Sequence, residues 1–257
     1  MEDPFFREPE LVRKCFQYEE SPVLEDGTWA PWFNGTDQFQ RFIHIDLGLK
    51  RDKSALCMVH LSGMKDVETM VGIEKLPIVN VDYLQTWKAE HGKEINFADI
   101  RNTIQLLSKK FPIAMVTFDM WSSADMIQTL RSWGFNADWH TVRKTDYDTL
   151  QTAIYDGRIR GYWNEQLVEK ELLQLKLINN SKVDHPSTGE KDAADALAGA
   201  TYMCVTNMEM ASEMEIELYF DDFDREEVIE KIRPKISETA PPPEMPSDLK
   251  EWLLEIL

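Results

Sequence analysis

A mixed α/β sheet with helices on both faces is the fold class predicted by this 257-residue sequence. Three observations carry the prediction. Early apolar stretches separated by polar or glycine-containing turns read as an antiparallel meander. Later apolar strands alternate with amphipathic helical stretches, the pattern of parallel β–α units. A final alanine-rich helix is suited to close packing against a sheet.

The elements follow in order. Residues 1–40 hold Pro4, Pro9, Pro22 and Pro31 and several acids, which predicts an irregular lead-in arm with a short helix near residues 8–18. Strands are expected at 42–47, 54–62 and 67–76. Residues 97–110 place Ile100, Ile104 and Leu107 at helical spacing, and Pro112 stops that helix before a strand at 113–119. Ser122 or Ser123 caps the next helix, which runs to Trp133 and ends at Gly134. A short strand at 137–142 leads to a helix at 146–156 closed by Gly157. Residues 164–178 alternate Glu and Lys with Leu167, Leu172, Leu173, Leu175 and Ile178, which predicts an amphipathic helix. A polar loop at 179–190 precedes the last helix, at 191–205. Three antiparallel strands followed by parallel β–α units is the ribonuclease H-like arrangement.

The organisation expected is therefore an arm at 1–40, an α/β domain at 41–208 and a tail at 209–257. The tail is acidic, contains Pro241-Pro242-Pro243 and Pro246, and ends in a short helical segment lined by Leu249, Trp252, Leu253 and Ile256. At 43% hydrophobic the chain can bury a sizeable core, and no apolar run approaches the roughly 18 residues of a membrane span. No basic-then-apolar leader opens it, so a cytoplasmic protein is expected. Cys15, Cys57 and Cys204 lack metal-binding spacing and read as reduced thiols.

The net charge of −18 looks unfavourable for handling nucleic acid, because phosphate is bound by Lys and Arg. Its distribution removes the objection. Acids outnumber bases 9 to 3 in residues 1–40 and 15 to 5 in 205–257, but only 22 to 20 in 41–204. A DNA-facing surface is compatible with that middle region.

Three acidic stations carry the chemistry. Asp46 follows the apolar run Phe42-Ile43-His44-Ile45, Asp119 follows Val116-Thr117-Phe118, and Asp192 and Asp195 lie one turn apart on the last helix. Alone, a strand-end Asp is often a turn residue or a helix cap, and an Asp pair on a helix is usually solvated. Here alanines separate the pair and Leu197-Ala198-Gly199 follows, so the face reads as buried and calls for a cation. Carboxylates at the ends of two strands and on one helix suit two divalent ions about 4 Å apart, which activate water and stabilise a leaving oxygen.

These residues resemble the nuclease domain of the large terminase subunit of tailed bacteriophages, which is related to Holliday-junction resolvases. The resemblance covers about 41–204. It rests on Asp46-Leu47-Gly48 with Asp52 in the following hairpin, on Phe118-Asp119-Met120-Trp121-Ser122-Ser123-Ala124-Asp125, and on His185-Pro186 through Lys191-Asp192-Ala193-Ala194-Asp195-Ala196-Leu197-Ala198-Gly199. It implies Mg2+ or Mn2+, two ions per site, held by Asp46, Asp119 and Asp192 or Asp195, with Asp52 a fourth candidate. The implied activity is endonucleolytic cleavage of double-stranded DNA with little sequence preference, as in the cutting of concatemers during genome packaging. Partners implied besides DNA are a packaging ATPase motor, a small terminase subunit and a portal, with no membrane.

Basic residues near the expected cleft, and so candidates for DNA phosphate contacts, are Lys50, Arg51, Lys53, Arg143, Lys144, Arg158, Arg160 and Lys191. His185 reads as a structural loop residue, His44 as packing, and Tyr147 as packing. Trp121, Trp133, Trp139 and Trp163 read as core. The chain lacks the Gly-x-x-x-x-Gly-Lys-Ser/Thr loop of a motor, so ATP hydrolysis is not expected, and it reads as a nuclease part or a separately encoded one. A junction-selective resolvase and a non-catalytic packaging module are the alternative readings of the same fold.

Overall fold

The computed structural model describes residues 2–18, 20–24, 26–48, 53–89, 94–119 and 123–208. Lys50, Arg51, Asp52, Trp121, Ser122 and the tail at 209–257 lie outside the described residues.

The chain opens with β1 (Glu2–Pro4), α1 (Pro9–Cys15) and β2 (Phe16–Tyr18). Then come β3 (Arg41–Asp46), β4 (Ser54–Thr69), β5 (Gly72–Trp87), α2 (Phe97–Ser108), β6 (Ile113–Phe118), α3 (Ala124–Ser132) and β7 (Ala137–Trp139). The remainder is α4 (Lys144–Tyr155), β8 (Ile159–Tyr162), a π-helical turn (Gln166–Glu171), a 3-10 turn (Leu172–Gln174), β9 (Lys176–Ile178), β10 (Lys182–Asp184) and α5 (Asp192–Thr206). Among the described residues the main sheet has seven strands in the order β2-β8-β5-β4-β3-β6-β7, and β1, β9 and β10 form a small second sheet. β3, β4 and β5 are antiparallel neighbours, while β6 and β7 extend the sheet in parallel from β3. This is the mixed, ribonuclease H-like α/β fold expected.

The two-residue period of the strands divides the core into two layers. Phe42, Ala55, Cys57 and Val59 face α1, α4 and α5, whereas Ile43, Ile45, Leu56 and Met58 face α2 and α3. α2 follows its sequence pattern: Asn96 caps it by accepting the Ala98 N–H at 3.1 Å, and Ile100, Ile104 and Leu107 are buried.

Several boundaries differ from expectation, each for an identifiable reason. The second and third strands are both longer than expected and meet at Met70-Val71, where Gly72 takes φ +128°. Gly63, at the expected turn, is accommodated within the hairpin at a register shift. Residues 164–178 are not one helix. The backbone makes a π turn, tightens into a 3-10 turn, and at Leu175 goes extended so that β9 pairs with both β1 and β10. The polar loop after it therefore contains β10. The short β8 has no counterpart among the expected strands, although it joins β5 to β2 in parallel. The lead-in arm contains its short helix and two strands besides, with Phe5, Phe6, Val12, Cys15 and Phe16 buried in the core.

Candidate active site

β3 and β6 bring the first two acids together. His44 shares the α5-facing side of β3 with Phe42, and Asp46 is next on that side. The strands are parallel with Ile45 opposite Phe118, so both end at the same level. The Asp119 N–H donates to the Ile45 carbonyl at 3.2 Å, which sets Asp119 beside the end of β3.

α5 supplies the third station, and its composition explains how. Ala193, Ala194, Ala196, Ala198 and Ala200 are fully buried, and a Cβ placed on Gly199 would lie 2.4 Å from Cδ2 of His44. Only glycine lets the helix lie directly on that imidazole. The Thr117 hydroxyl donates to the Ile43 carbonyl at 3.3 Å, so His44 Nδ1, 2.8 Å from Thr117 Oγ1, is the donor of that pair. Burial, aided by His140, pushes the His44 pKa down to about 3, and the ring is neutral packing as expected.

From this anchor the geometry runs forward. Asp195 precedes Gly199 by four residues, about 6 Å of helix, and Asp46 follows His44 by two, about 6.7 Å of strand, so Asp195 is carried toward Asp46. Electrostatics agree. Burial first, then Asp195, Asp192 and Asp119, push the Asp46 pKa up to about 8, with Lys191 acting against the rise. Burial, then Glu171, Asp195 and Glu190, push Asp192 up to about 6.

Asp195 is only 8% exposed and both its oxygens are engaged. The buried Tyr147 of α4 donates its hydroxyl to Oδ1 at 2.6 Å, and the Lys191 ammonium bonds Oδ2. Burial, and then the Asp195 charge, keep the Tyr147 phenol protonated well above its ordinary range. Burial works against the Lys191 charge, but Asp195, Asp46 and Asp184 outweigh it and raise its pKa. Beneath the start of α5, Glu171 accepts the Ala194 N–H at 2.9 Å and the Gln166 amide at 3.0 Å. The π turn is what delivers Glu171 to that position.

Tyr147, Glu171 and Glu190 thus lie around the site; Glu190 falls within the stretch from His185 to Asp195 that carries the resemblance, whereas no sequence pattern points to Tyr147 or Glu171. Tyr147 is more than the packing residue expected. Its bond to Asp195 spans 48 residues, and no local signal announces such a contact.

The basic candidates divide. Lys191 lies within the cluster, and Lys53 at its border bonds Glu190, which also accepts from Gln166 at 3.1 Å. Arg143 is exposed one turn before Tyr147, and Lys144 is held by both oxygens of Asp148 at 2.7 Å. Arg158 and Arg160 are not brought to the carboxylates. β8 meets β5 at Val79, a residue opposite Leu61, whereas Asp46 is opposite Ala55, roughly 20 Å along β4. Arg158 is buried there on Asp156 and the Pro77 carbonyl. His185 is tied into its own turn, with Nδ1 2.6 Å from the Pro186 carbonyl. Trp133, Trp139 and Trp163 are 44%, 63% and 46% exposed rather than core, because each stands at or beyond the end of its element.

A cavity of about 690 Å³ lies far from these acids, at the start of β3, between Trp32, Phe33, Asp37, Arg41, His60 and Asp82. It takes no part in the carboxylate site. As they stand, no three His, Cys, Asp or Glu side chains among the described residues form a ready cage for a metal. The donor chemistry nevertheless fits a hard divalent cation. Asp46, Asp119, Asp192 and Asp195 offer carboxylate oxygen from rigid elements, and crowding of like charges on the buried Asp46 is what such an ion relieves.

The fold and the acids at one sheet end define a ribonuclease H-like α/β protein with a carboxylate site at the carboxyl ends of two parallel strands. Its solved structural neighbours include large terminases of bacteriophages and their nuclease domains. The HK97 bacteriophage large terminase superposes with a TM-score of 0.55 at 13% identity, over 78% of this chain and 43% of that one. The large terminase nuclease of thermophilic phage G20c, solved with bound magnesium, gives 0.54 at 15% identity over 78% and 97%. The Thermus phage P74-26 large terminase nuclease domain gives 0.53 at 14% over 76% and 94%. The chain thus spans less than half of the HK97 protein and nearly all of the two nuclease domains. At these identities the likeness establishes the fold. No protein-family model matches the chain, and no curated protein matches it significantly in sequence.

Proposed function

We propose that this chain is a Mg2+- or Mn2+-dependent endonuclease that cleaves double-stranded DNA with little sequence preference, as part of phage genome packaging. The observation that carries the reading is the convergence of Asp46, Asp119 and Asp195 at one end of the sheet, where burial and mutual repulsion raise Asp46 to about pKa 8. Asp46, Asp119 and Asp195 are the proposed ligands of two ions. Asp192, facing Glu171 and Glu190 as well as Asp195, is the adjoining acid. When bound, the metal supplies an activated water and stabilises the leaving oxygen of the phosphodiester.

The chain's own residues do the rest. Tyr147 fixes the orientation of Asp195, Glu171 anchors the first turn of α5, and Arg143, exposed one turn before Tyr147, is the proposed phosphate contact. The magnesium in the G20c nuclease and the packaging role of large terminases support the assignment by analogy of fold. A packaging motor, small subunit or portal is the class of partner that this function requires.

The test is cleavage of supercoiled plasmid by the full chain with Mg2+, Mn2+ or chelator. Nicking and linearisation with metal alone are expected. No cleavage under any metal condition contradicts the proposal, and preferential cutting of four-way junctions over linear duplex reassigns the substrate.

A further inference from the structure

We propose that Lys191 is a built-in counter-cation of the carboxylate site: its ammonium holds the oxygen of Asp195 that a divalent ion needs, and a metal must displace it to bind. The inference rests on the metal-dependent reading above and deepens it.

The two oxygens of Asp195 are not equivalent. Oδ1 accepts the buried Tyr147 hydroxyl at 2.6 Å, whereas Oδ2 is bonded by Lys191 Nζ, which also acts on Asp46. Lys191 stands just before α5, where its side chain runs along the first turn to reach Asp195 four residues on. Only 27% of that side chain is exposed, against 11% for Asp195, so the pair is largely withdrawn from water. An ammonium so withdrawn is costly unless carboxylates surround it, and Asp195, Asp46 and Asp184 all act on it.

The neighbouring cations are placed differently. Lys53 bonds Glu190 and Lys144 bonds Asp148, so neither neutralises Asp195. Lys191 alone among these three lies on a proposed metal ligand. Its single positive charge neutralises the buried Asp195 and works against the rise of the Asp46 pKa, which lets α5 pack on β3 before any metal arrives. A divalent ion brings twice the charge and binds several carboxylates at once, and the flexible four-carbon stem of lysine lets the ammonium swing away. Lys191 therefore sets the metal affinity by competition for one oxygen.

The experiment measures Mn2+ binding to the full chain without DNA, from the loss of the free-ion electron paramagnetic resonance signal. Wild type is compared with Lys191→Met and Lys191→Gln, with folding checked by circular dichroism. Loss of the competing charge should tighten Mn2+ binding about five- to tenfold in both variants. Thermal melts in chelator should show both variants less stable than wild type, with a larger upward shift on adding Mn2+. Wild-type binding with unchanged or weaker affinity in a folded variant overturns the role of Lys191 and leaves the metal site intact. Absence of Mn2+ binding in wild type overturns the metal-dependent reading itself, and this inference with it.

Discussion

Gly199 of α5 lies against the imidazole of His44 in β3, so close that a methyl group at 199 would sit 2.4 Å from the ring. That contact fixes both the height of α5 above the sheet and its position along β3. Asp195, one turn before Gly199, and Asp46, two residues after His44, are consequently brought toward each other. A packing contact one helical turn from Asp195 thereby positions the candidate site.

Gly199→Ala is expected to destabilise the protein by about 1–3 kcal/mol, the usual cost of overpacking. In a His44→Ala background most of that cost should disappear, because the ring that the methyl meets is gone. Urea denaturation of the two single variants and the double variant measures the coupling. Strict additivity would show that α5 does not rest on His44.

Tyr147→Phe keeps the buried ring and removes one hydroxyl. Asp195 then loses a charge-assisted donor at Oδ1, which should cost about 1–3 kcal/mol of stability. With the proposed ligand carboxylate left without its supporting bond, cleavage should also fall by about 10- to 100-fold. Denaturation and plasmid cleavage measured side by side check both, and wild-type rates would return Tyr147 to a packing role.

Stability in chelator should depend on pH through Asp46. Its carboxyl keeps a proton up to about pH 8 when folded, while in the unfolded chain it ionises near the ordinary 3.8. Folding takes up a proton between those limits, so the group's stabilising contribution is complete below about pH 4 and is lost as the pH rises toward 8. Asp46→Asn should therefore melt like wild type near pH 4 and several degrees higher near pH 8, since every tenfold difference in proton affinity between the folded and unfolded chain is worth about 1.4 kcal/mol. Equal melting at both pH values would contradict the crowding inferred at Asp46.

The sheet and the acids are legible in the sequence because each is local. An apolar run ending in Asp46 or Asp119, and alanines between Asp192 and Asp195, are patterns within a few residues. Features that depend on distant partners are not. The leucines of residues 167–175 suit a helix as well as the observed π and 3-10 turns, and the choice is made by β9 pairing with β1 from the far end of the chain. β8 is a four-residue strand whose identity comes from its neighbours β5 and β2. Lys191 is visible in the sequence as a neighbour of the acids, whereas its bond to Oδ2 of Asp195 emerges only in three dimensions.

Whether the converging acids form a metal-dependent nuclease centre is tested most directly by plasmid cleavage in Mn2+ with wild type, Asp46→Asn and Asp119→Asn, circular dichroism confirming the fold of each. Metal-dependent cleavage by wild type and none above background by either folded variant is the expected result. Metal-dependent cleavage retained in both variants would contradict the assignment.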